Sequence, residues 1–262
     1  MKEDELWDSR AKIVRAEAPS GQSYFGRSYL KAIAIAFGYA DTRRLCALKT
    51  DLWNEGVETN RDILGALERN RKLSLFGVDI SKVVCYLAKR RLKNTNIIRA
   101  DIRSMPFREG SFDIIFDLST IDHVPPHQVP IVVREYRRAL KKYALMLLVF
   151  WYESAFQKLI RILCKLREPM VSQCQYYLPV EQVKTLLLTE GFEMLGEYCT
   201  GTLLSEAGRT SGGLPKLIHA LALRLEYSEF SGFLLKHFAG LFVIVARKSK
   251  KLSIETSIRS LK

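Results

Sequence analysis

Residues 73–81 read LSLFGVDIS, and this stretch decides the fold. It is a short, mostly apolar run that ends in an acid, and a segment of helical period follows it. Such a run, bounded by turn residues, predicts a strand that is buried on both faces of a sheet. An acid at the end of a parallel strand lies at the carboxyl edge of the sheet, where doubly wound proteins bind their ligands. Asp79 is therefore the first candidate binding residue.

Similar runs recur on both sides of this stretch, with helical patterns between them. We predict further strands at residues 44–50, 96–100, 112–118, 143–150, 192–199 and 238–247, and helices at 60–70, 81–92, 127–141 and 179–190. This alternation predicts an α/β fold with a mostly parallel sheet between two helical layers. We expect an N-terminal helical segment at 1–40, one domain at 41–249 with insertions at about 153–178 and 200–237, and a basic tail at 250–262.

Composition narrows the class of protein. The chain has 262 residues, of which 48% are hydrophobic, and can bury one large core. Its five cysteines are odd in number and form no CxxC pair, so we expect neither a disulfide framework nor a metal site. The charged N-terminus and the lack of an apolar stretch of about 20 residues predict a cytoplasmic protein that neither is secreted nor spans a membrane.

The formal net charge of +13 would attract phosphate-bearing partners or an anionic membrane. Solvated helix faces explain the same excess, because much of it lies along predicted helices. No nucleic-acid-binding motif accompanies the charge, so a nucleic-acid partner is not favoured. Peripheral contact with an anionic membrane is an alternative that the sequence leaves open. The sequence predicts no oligomeric state.

Three of the predicted strands are followed by acids that would share one edge of the sheet. Asp79 ends GVD, Asp101 follows in RADIRSMPF, and Asp117 lies in FDLSTIDHV. The two oxygens of a carboxylate match the two adjacent hydroxyls of a ribose. The alternative for Asp79 is that it merely caps the next helix together with Ser81. The presence of three acids favours the binding interpretation.

The order of these motifs over residues 44–150 resembles the methyltransferase type 11 branch of the class I S-adenosylmethionine-dependent methyltransferases. EGSFDIIFDLSTIDHV and REYRRALKK belong to the match, and YLPVEQVKTLLLTEGFEM resembles the helix and strand that follow in that family. The resemblance implies a three-layer, Rossmann-like fold, a seven-stranded sheet of order 3-2-1-4-5-7-6, and S-adenosyl-L-methionine as cofactor. It also implies roles for five residues: Asp79 at the ribose, Ile80 on the adenine, Asp101 at the adenine amino group with Ile102 beside it, and Asp117 near the methionyl part.

The segment after the first strand departs from this family. Members usually have an acid and a glycine-rich loop there, which lets backbone N–H groups approach the cofactor carboxylate. Here the segment reads ALKTDLWNEGVETN and keeps one glycine. One interpretation is a variant loop whose contacts come from Thr50, Asp51, Asn54, Glu55 and Gly56. The other is a fold that has lost its cofactor.

His123 follows the fourth strand and is the candidate catalytic residue. An imidazole there could act as a base on an acceptor hydroxyl. A purely structural role is the alternative, because methyl transfer needs little beyond in-line positioning of the cofactor.

The acceptor side is enlarged by the two insertions. Residues 156–166 form an amphipathic pattern with a basic face, typical of a lid helix or of a helix on an anionic membrane. The aromatic residues of 23–37 would help to shut the site or simply pack. We therefore expect methyl transfer to a small-molecule, glycan-precursor or lipid-like acceptor, and the alternative is a non-catalytic scaffold. An RNA methyltransferase is disfavoured because the expected Asn/Asp-Pro-Pro-Tyr signature is absent after the fourth strand.

Overall fold

The structure, a computed structural model, describes residues 2–17, 24–40, 44–57, 63–152, 175–202 and 239–249. In chain order the elements are α1 (Glu3–Glu17), α2 (Tyr24–Gly38), β1 (Leu45–Lys49), α3 (Trp53–Gly56), α4 (Ile63–Leu67), β2 (Leu73–Asp79), α5 (Lys82–Arg91), β3 (Thr95–Arg99), β4 (Phe112–Leu118), α6 (Val129–Ala139), β5 (Leu140–Trp151), α7 (Val180–Thr189), β6 (Phe192–Thr202) and β7 (Ala239–Lys248). Two 3-10 turns, Ile121–His123 and Pro126–Gln128, lie between β4 and α6.

The seven strands form one sheet of order β3-β2-β1-β4-β5-β7-β6. The first five strands pair in parallel, and β7 runs antiparallel to both β5 and β6. This order confirms the expected fold. The predicted strands 73–79 and 112–118 coincide with β2 and β4, since each is an apolar run closed by an acid or a turn.

Both faces of the sheet are covered, as the continuous apolar strands require. In β5 the buried side chains alternate between two clusters. Leu145, Leu147 and Val149 pack with residues of α1, α2, α4 and α5, whereas Met146 and Leu148 pack with residues of α6 and α7. Helices therefore cover both faces of the sheet.

The entry into β5 differs from the prediction. The expected helix 127–141 ends at Ala139, and pairing with β4 starts at once with Phe112 opposite Leu140. The register then shifts, so that Ile114 lies opposite Leu145. The extra residues form a bulge in which Tyr143 is exposed and has φ 63°. This bulge lies at the amino edge of the sheet, at the opposite end from the candidate site.

Several predicted segments lie outside the described residues. These are the amphipathic segment 156–166, the tail 250–262, residues 203–237 of the second insertion, and residues 60–62 of the helix predicted at 60–70, of which Ile63–Leu67 is seen. The domain limits stay predictions. Within the described ranges, no helix is both long and apolar enough to span a bilayer.

Candidate active site

The strand pairing brings the three predicted acids to one edge of the sheet. Asp79 is the last residue of β2 and lies beside Arg99 of β3, two residues before Asp101. Asp117 is the penultimate residue of β4, which pairs with β1 next to β2. The carboxyl edge therefore carries acids from three adjacent or near-adjacent strands, as the sequence predicted.

Asp79 connects the loop after β1 to the start of α5. Its Oδ2 accepts the backbone N–H of Leu52 at 2.9 Å, and its Oδ1 accepts that of Ser81 at 2.8 Å. Burial of the carboxylate raises its pKa to about 7 despite these two hydrogen bonds. The helix cap is Ser81 itself, whose Oγ accepts the N–H of Val84 at 3.1 Å. A carboxylate has about four acceptor positions, so two remain for ribose hydroxyls.

Asp101 is held by Arg103. The guanidinium Nε lies 2.9 Å from both carboxylate oxygens, and Nη2 lies 2.6 Å from Oδ2. The same Nη2 donates to Glu3 of α1 at 2.6 Å, and Nη1 donates to Gln128 at 2.6 Å. An adenine amino group could bind Asp101 only if Arg103 moved or shared the carboxylate. Ile102 beside it is buried, and Ile80 is half-buried.

A buried cation stands at the end of β1, where the family resemblance implied an acid. Lys49 is fully buried and donates to Asp51 at 2.9 Å and to Glu55 at 3.1 Å. Burial opposes its charged form, but the two carboxylates outweigh that effect and raise the pKa of Lys49. Glu55 also accepts the N–H of Leu64 at 3.1 Å, and burial raises its pKa to about 7. Lys49 and these two acids organise the loop from within.

The one glycine of this loop serves packing. A Cβ on Gly56 would lie 2.8 Å from the carbonyl oxygen of Val84, so the close approach of α3 to α5 requires glycine there. Meanwhile the N–H of Trp53 is bound by Asp51 Oδ1 at 2.9 Å, and Asn54 is buried. Because the N–H of Trp53 is bound within the loop and that of Leu52 by Asp79, this loop differs from a glycine-rich loop whose N–H groups are open to a ligand.

Asp117 is fully buried and organises the turn after β4. It accepts the Tyr136 hydroxyl at 2.7 Å and the N–H groups of Thr120 and Ile121 at 2.8 and 3.2 Å. Burial raises its pKa to about 7. Thr50 joins the same buried group, with its Oγ1 3.0 Å from Thr120 Oγ1. A contact between Asp117 and the methionyl part of a cofactor stays a prediction.

Sequence reasoning did not assign a role to Asp122, which holds three segments together. Its buried carboxylate accepts from Ser119 Oγ at 2.8 Å, from the N–H of Trp151 at 3.1 Å and from Gln175 Nε2 at 3.1 Å. Ser119 has φ 69°, an unusual backbone conformation for a serine. Asp122 thus fixes the turn that carries His123 to both ends of the segment 153–174. No local sequence pattern predicts this role, because Trp151 and Gln175 are distant from Asp122 in sequence.

Helix α1 lies across the carboxyl edge, whereas the sequence left open whether residues 23–37 shut the site or simply pack. Trp7 contacts His123 and Trp53 edge to face, with ring centroids 4.9 and 5.9 Å apart. Asp8 accepts from Ser81 Oγ at 2.5 Å and from the N–H of Val83 at 3.1 Å. Helix α2 instead buries residues such as Tyr29 in the core.

Further ionic contacts reinforce the position of α1. Asp4 pairs with Arg99 at 2.7 Å, next to the contact between Glu3 and Arg103. The three acids in the first turn of α1, together with Trp7, were the available sequence signal for a helix that pairs with the arginines Arg99 and Arg103 of this edge.

A family model described as a methyltransferase domain matches residues 61–148. This match agrees with the resemblance to the type 11 branch of the class I methyltransferases. A search of curated protein sequences gives no significant match.

Solved structures share the fold of this chain at low identity. The 4+2 cyclase SpnF is 13% identical with a TM-score of 0.60, and the match covers 94% of each chain. An S-adenosylmethionine-dependent methyltransferase from Methanosarcina mazei is 17% identical with a TM-score of 0.54, covering 82% of this chain and 97% of the other. A chain from Haloferax volcanii, solved in complex with a methyltransferase activator, is 13% identical with a TM-score of 0.59, covering 95% and 99%. These likenesses establish the fold alone.

The donor set at the edge fits the nucleoside half of S-adenosylmethionine. Asp79 offers free acceptor positions for the ribose hydroxyls, and Ile80 and Ile102 offer apolar surface for the adenine. For the cationic methionyl half, Asp51 is a partly exposed carboxylate beside the buried Lys49, with 18% of its side chain accessible. Donors for the cofactor carboxylate are scarce, since the N–H groups of Leu52 and Trp53 are already bound.

Proposed function

We propose that the protein transfers a methyl group from S-adenosyl-L-methionine to a small-molecule, glycan-precursor or lipid-like acceptor. The observation that carries this proposal is the position of Asp79. It ends β2, adjacent to the loop of β1, and keeps acceptor capacity at the edge where this fold binds ligands. The methyltransferase domain over residues 61–148 supports the same conclusion.

The bound cofactor would supply an activated methyl group on a sulfonium. The protein itself would bind the cofactor, orient it and enclose it. Asp79 would hold the ribose, Asp101 would accept from the adenine once Arg103 shares it, and Ile80 and Ile102 would sandwich the ring. An excess of carboxylates over cations around the loop favours a ligand that carries positive charge. Among Lys49, Asp51, Glu55 and Asp79, three are acids and one is a base.

His123 is the proposed base for the acceptor. It lies in the 3-10 turn after β4, which hydrogen bonds of Asp117 and Asp122 hold in place. Its ring contacts Trp7 of α1. In this position the imidazole can take a proton from an acceptor that enters between α1 and the sheet. Trp7 and Trp53 would exclude water from the same space.

A non-catalytic scaffold is the second candidate, and two observations favour it. Arg103 occupies both oxygens of Asp101, and in the loop after β1 the N–H groups of Leu52 and Trp53 are bound by Asp79 and Asp51. Binding of the cofactor separates the two candidates, since only the enzyme requires it.

The test of catalysis is the formation of S-adenosylhomocysteine. The purified chain is incubated with S-adenosylmethionine and fractionated small-molecule and lipid extracts, and the product is quantified by mass spectrometry. We expect one fraction to give product with the native chain and none above background with Asp79→Ala. Equal product from both proteins in every fraction would contradict a role for this site.

A further inference from the structure

A second charged surface lies at the opposite edge of the sheet, where β1, β2 and β3 begin. We call it the amino-edge patch, and it consists of Arg44, Arg69, Arg71, Lys72, Lys89, Arg90 and Lys93. All seven side chains are exposed, and none of them forms an ion pair with any part of the chain that the structure describes. The patch belongs to no part of the candidate active site.

Backbone contacts bring these residues side by side. The N–H of Leu45 donates to the carbonyl of Lys72 at 2.9 Å, which sets Arg44 next to Lys72. Glu68 at the end of α4 accepts the N–H of Lys93 at 3.3 Å, which brings the start of β3 to Arg69. The cations are therefore neighbours in space although they come from five elements.

Little negative charge opposes them. The acids Glu68 and Asp113 lie at this edge, and both carboxylates have other partners. Glu68 accepts from the N–H groups of Lys93 and Asn94 and from Thr95 Oγ1. Asp113 accepts the N–H of Cys46 at 2.8 Å and pairs with Lys141 at 2.8 Å. The acids of the candidate site are far away. With seven residues in β2 and about 3.3 Å per residue, the two edges lie roughly 23 Å apart, nearly three times the screening length of about 8 Å at physiological salt.

Helix stability does not account for the patch. Lys89 and Arg90 lie in the last turn of α5, where cations complement the helix dipole. Arg44, Lys72 and Lys93 precede strands, however, and have no such role. Their exposure without carboxylate partners is a cost in self-repulsion, which an anionic partner would relieve.

We propose that the amino-edge patch docks the protein on an anionic lipid surface. The cations are spread over the ends of two helices and the starts of three strands, so a flat surface faces them together. Tyr86 of α5 is 60% exposed and lies against Arg90 at 5.8 Å, a pairing of ring and cation suited to the headgroup region of a bilayer. A nucleic-acid strand would instead follow a groove lined by several stacked rings, and Tyr86 is the single aromatic residue among α4, α5 and the described starts of β1, β2 and β3.

This docking fixes the orientation of the domain. With the amino edge on the bilayer, the carboxyl edge and α1 face the aqueous side. The chain after β7 leaves at the docked edge, because Lys248 lies beside the start of β6, and the residues 250–262 that follow carry four Lys or Arg and one Glu. The proposal does not depend on methyl transfer, and a scaffold would dock in the same way.

The test is co-sedimentation of the full chain with vesicles. The probes are phosphatidylcholine vesicles with and without about one third phosphatidylserine. Lys72→Glu/Lys93→Glu alters the patch, and Lys2→Glu/Lys82→Glu is the control, since both are exposed lysines outside the patch and each double change lowers the net charge of +13 by four. Thermal unfolding verifies that both variants are folded.

We expect binding to the phosphatidylserine vesicles alone, weakened by salt, and a loss of roughly tenfold or more in the patch variant. The control should stay within about twofold of the native chain. Equal losses of vesicle binding in both variants would mean that net charge alone determines binding, and would overturn the proposal. Absence of vesicle binding would overturn it as well. So would binding of RNA that is tighter than binding of vesicles and is lost in the patch variant.

Discussion

The indole of Trp7 meets the imidazole of His123 edge to face, with ring centroids 4.9 Å apart. One ring belongs to α1 and the other to the turn after β4, so this contact joins the N-terminal helix to the carboxyl edge of the sheet. Helix α1 therefore lies against the candidate site residues that the sequence predicted.

We predict that Trp7→Ala accelerates the release of S-adenosylhomocysteine. An edge-to-face aromatic pair contributes about 0.5–1.5 kcal/mol, which corresponds to roughly 2- to 12-fold in rate. Stopped-flow fluorescence measures the release. Tyr143→Ala is the matched control, because that ring is 54% exposed at the opposite edge. Identical release rates in the native chain and the Trp7 variant would show that α1 does not cover the ligand.

Lys49 should be essential for stability. Lys49→Met leaves Asp51 and Glu55 without their cation, and loss of one partner of a buried pair costs about 3–5 kcal/mol. Urea unfolding gives this value. The double variant Lys49→Met/Glu55→Gln removes charge on both sides and should recover much of the loss. If the single variant were as stable as the native chain, the buried ion pair would have no structural role.

Arg103 should compete with the adenine for Asp101. Because its guanidinium spans both oxygens of Asp101, Arg103→Met should tighten cofactor binding by a few-fold in a calorimetric titration. Arg134→Met is the control, since Arg134 also forms an ion pair, with Glu190, but contacts none of the candidate site residues. Weaker binding in the Arg103 variant would mean that the guanidinium itself contacts the ligand.

Stability should fall as the pH rises from about 4 to about 7. Burial raises the pKa values of Glu55, Asp79 and Asp117 to about 7, above the ordinary carboxyl values of 4.5, 3.8 and 3.8. In this window the folded chain holds protons that the unfolded chain has released, so each unit of pH favours unfolding. The stabilisation is complete below about pH 4 for these groups and is lost above about pH 7.

Urea unfolding at several pH values measures that slope. Asp117→Asn removes one of the three groups and should flatten it. Exposed acids such as Glu109 and Glu193 serve as controls when changed to Gln, because they are not buried. A stability that rises steadily from pH 4 to pH 7 in the native chain would contradict the burial of these carboxyls as protonated groups.

The fold was predictable because its signals are local. Strands such as β2 and β4 are apolar runs with clear ends. The acids at their ends mark the carboxyl edge of the sheet even when the hydrogen-bond partners of these acids are unknown. Asp79 was found in this way. Its contact with the N–H of Leu52 was not, since that hydrogen bond joins positions 27 residues apart.

The rest of the site depends on long-range contacts that leave no local pattern. The buried position of Lys49 is set by two carboxylates of a loop that follows it, and an exposed lysine would read the same in sequence. Arg103 was not recognised as the partner of Asp101 because its geometry depends on Glu3, 100 residues away. The docking of α1 was missed because a charged N-terminus without an apolar stripe resembles a solvated segment.

The most direct test of the central claim is isothermal titration of the purified chain with S-adenosylmethionine, with Asp79→Ala and Asp113→Ala as a matched pair. Asp113 is an acid of β4 at the amino edge, bound to Lys141. We expect binding by the native chain and the Asp113 variant, and a loss of about 1.5–3 kcal/mol in the folded Asp79 variant. Absence of binding by the folded native chain, or equal affinity in the Asp79 variant, would contradict a cofactor site at this edge.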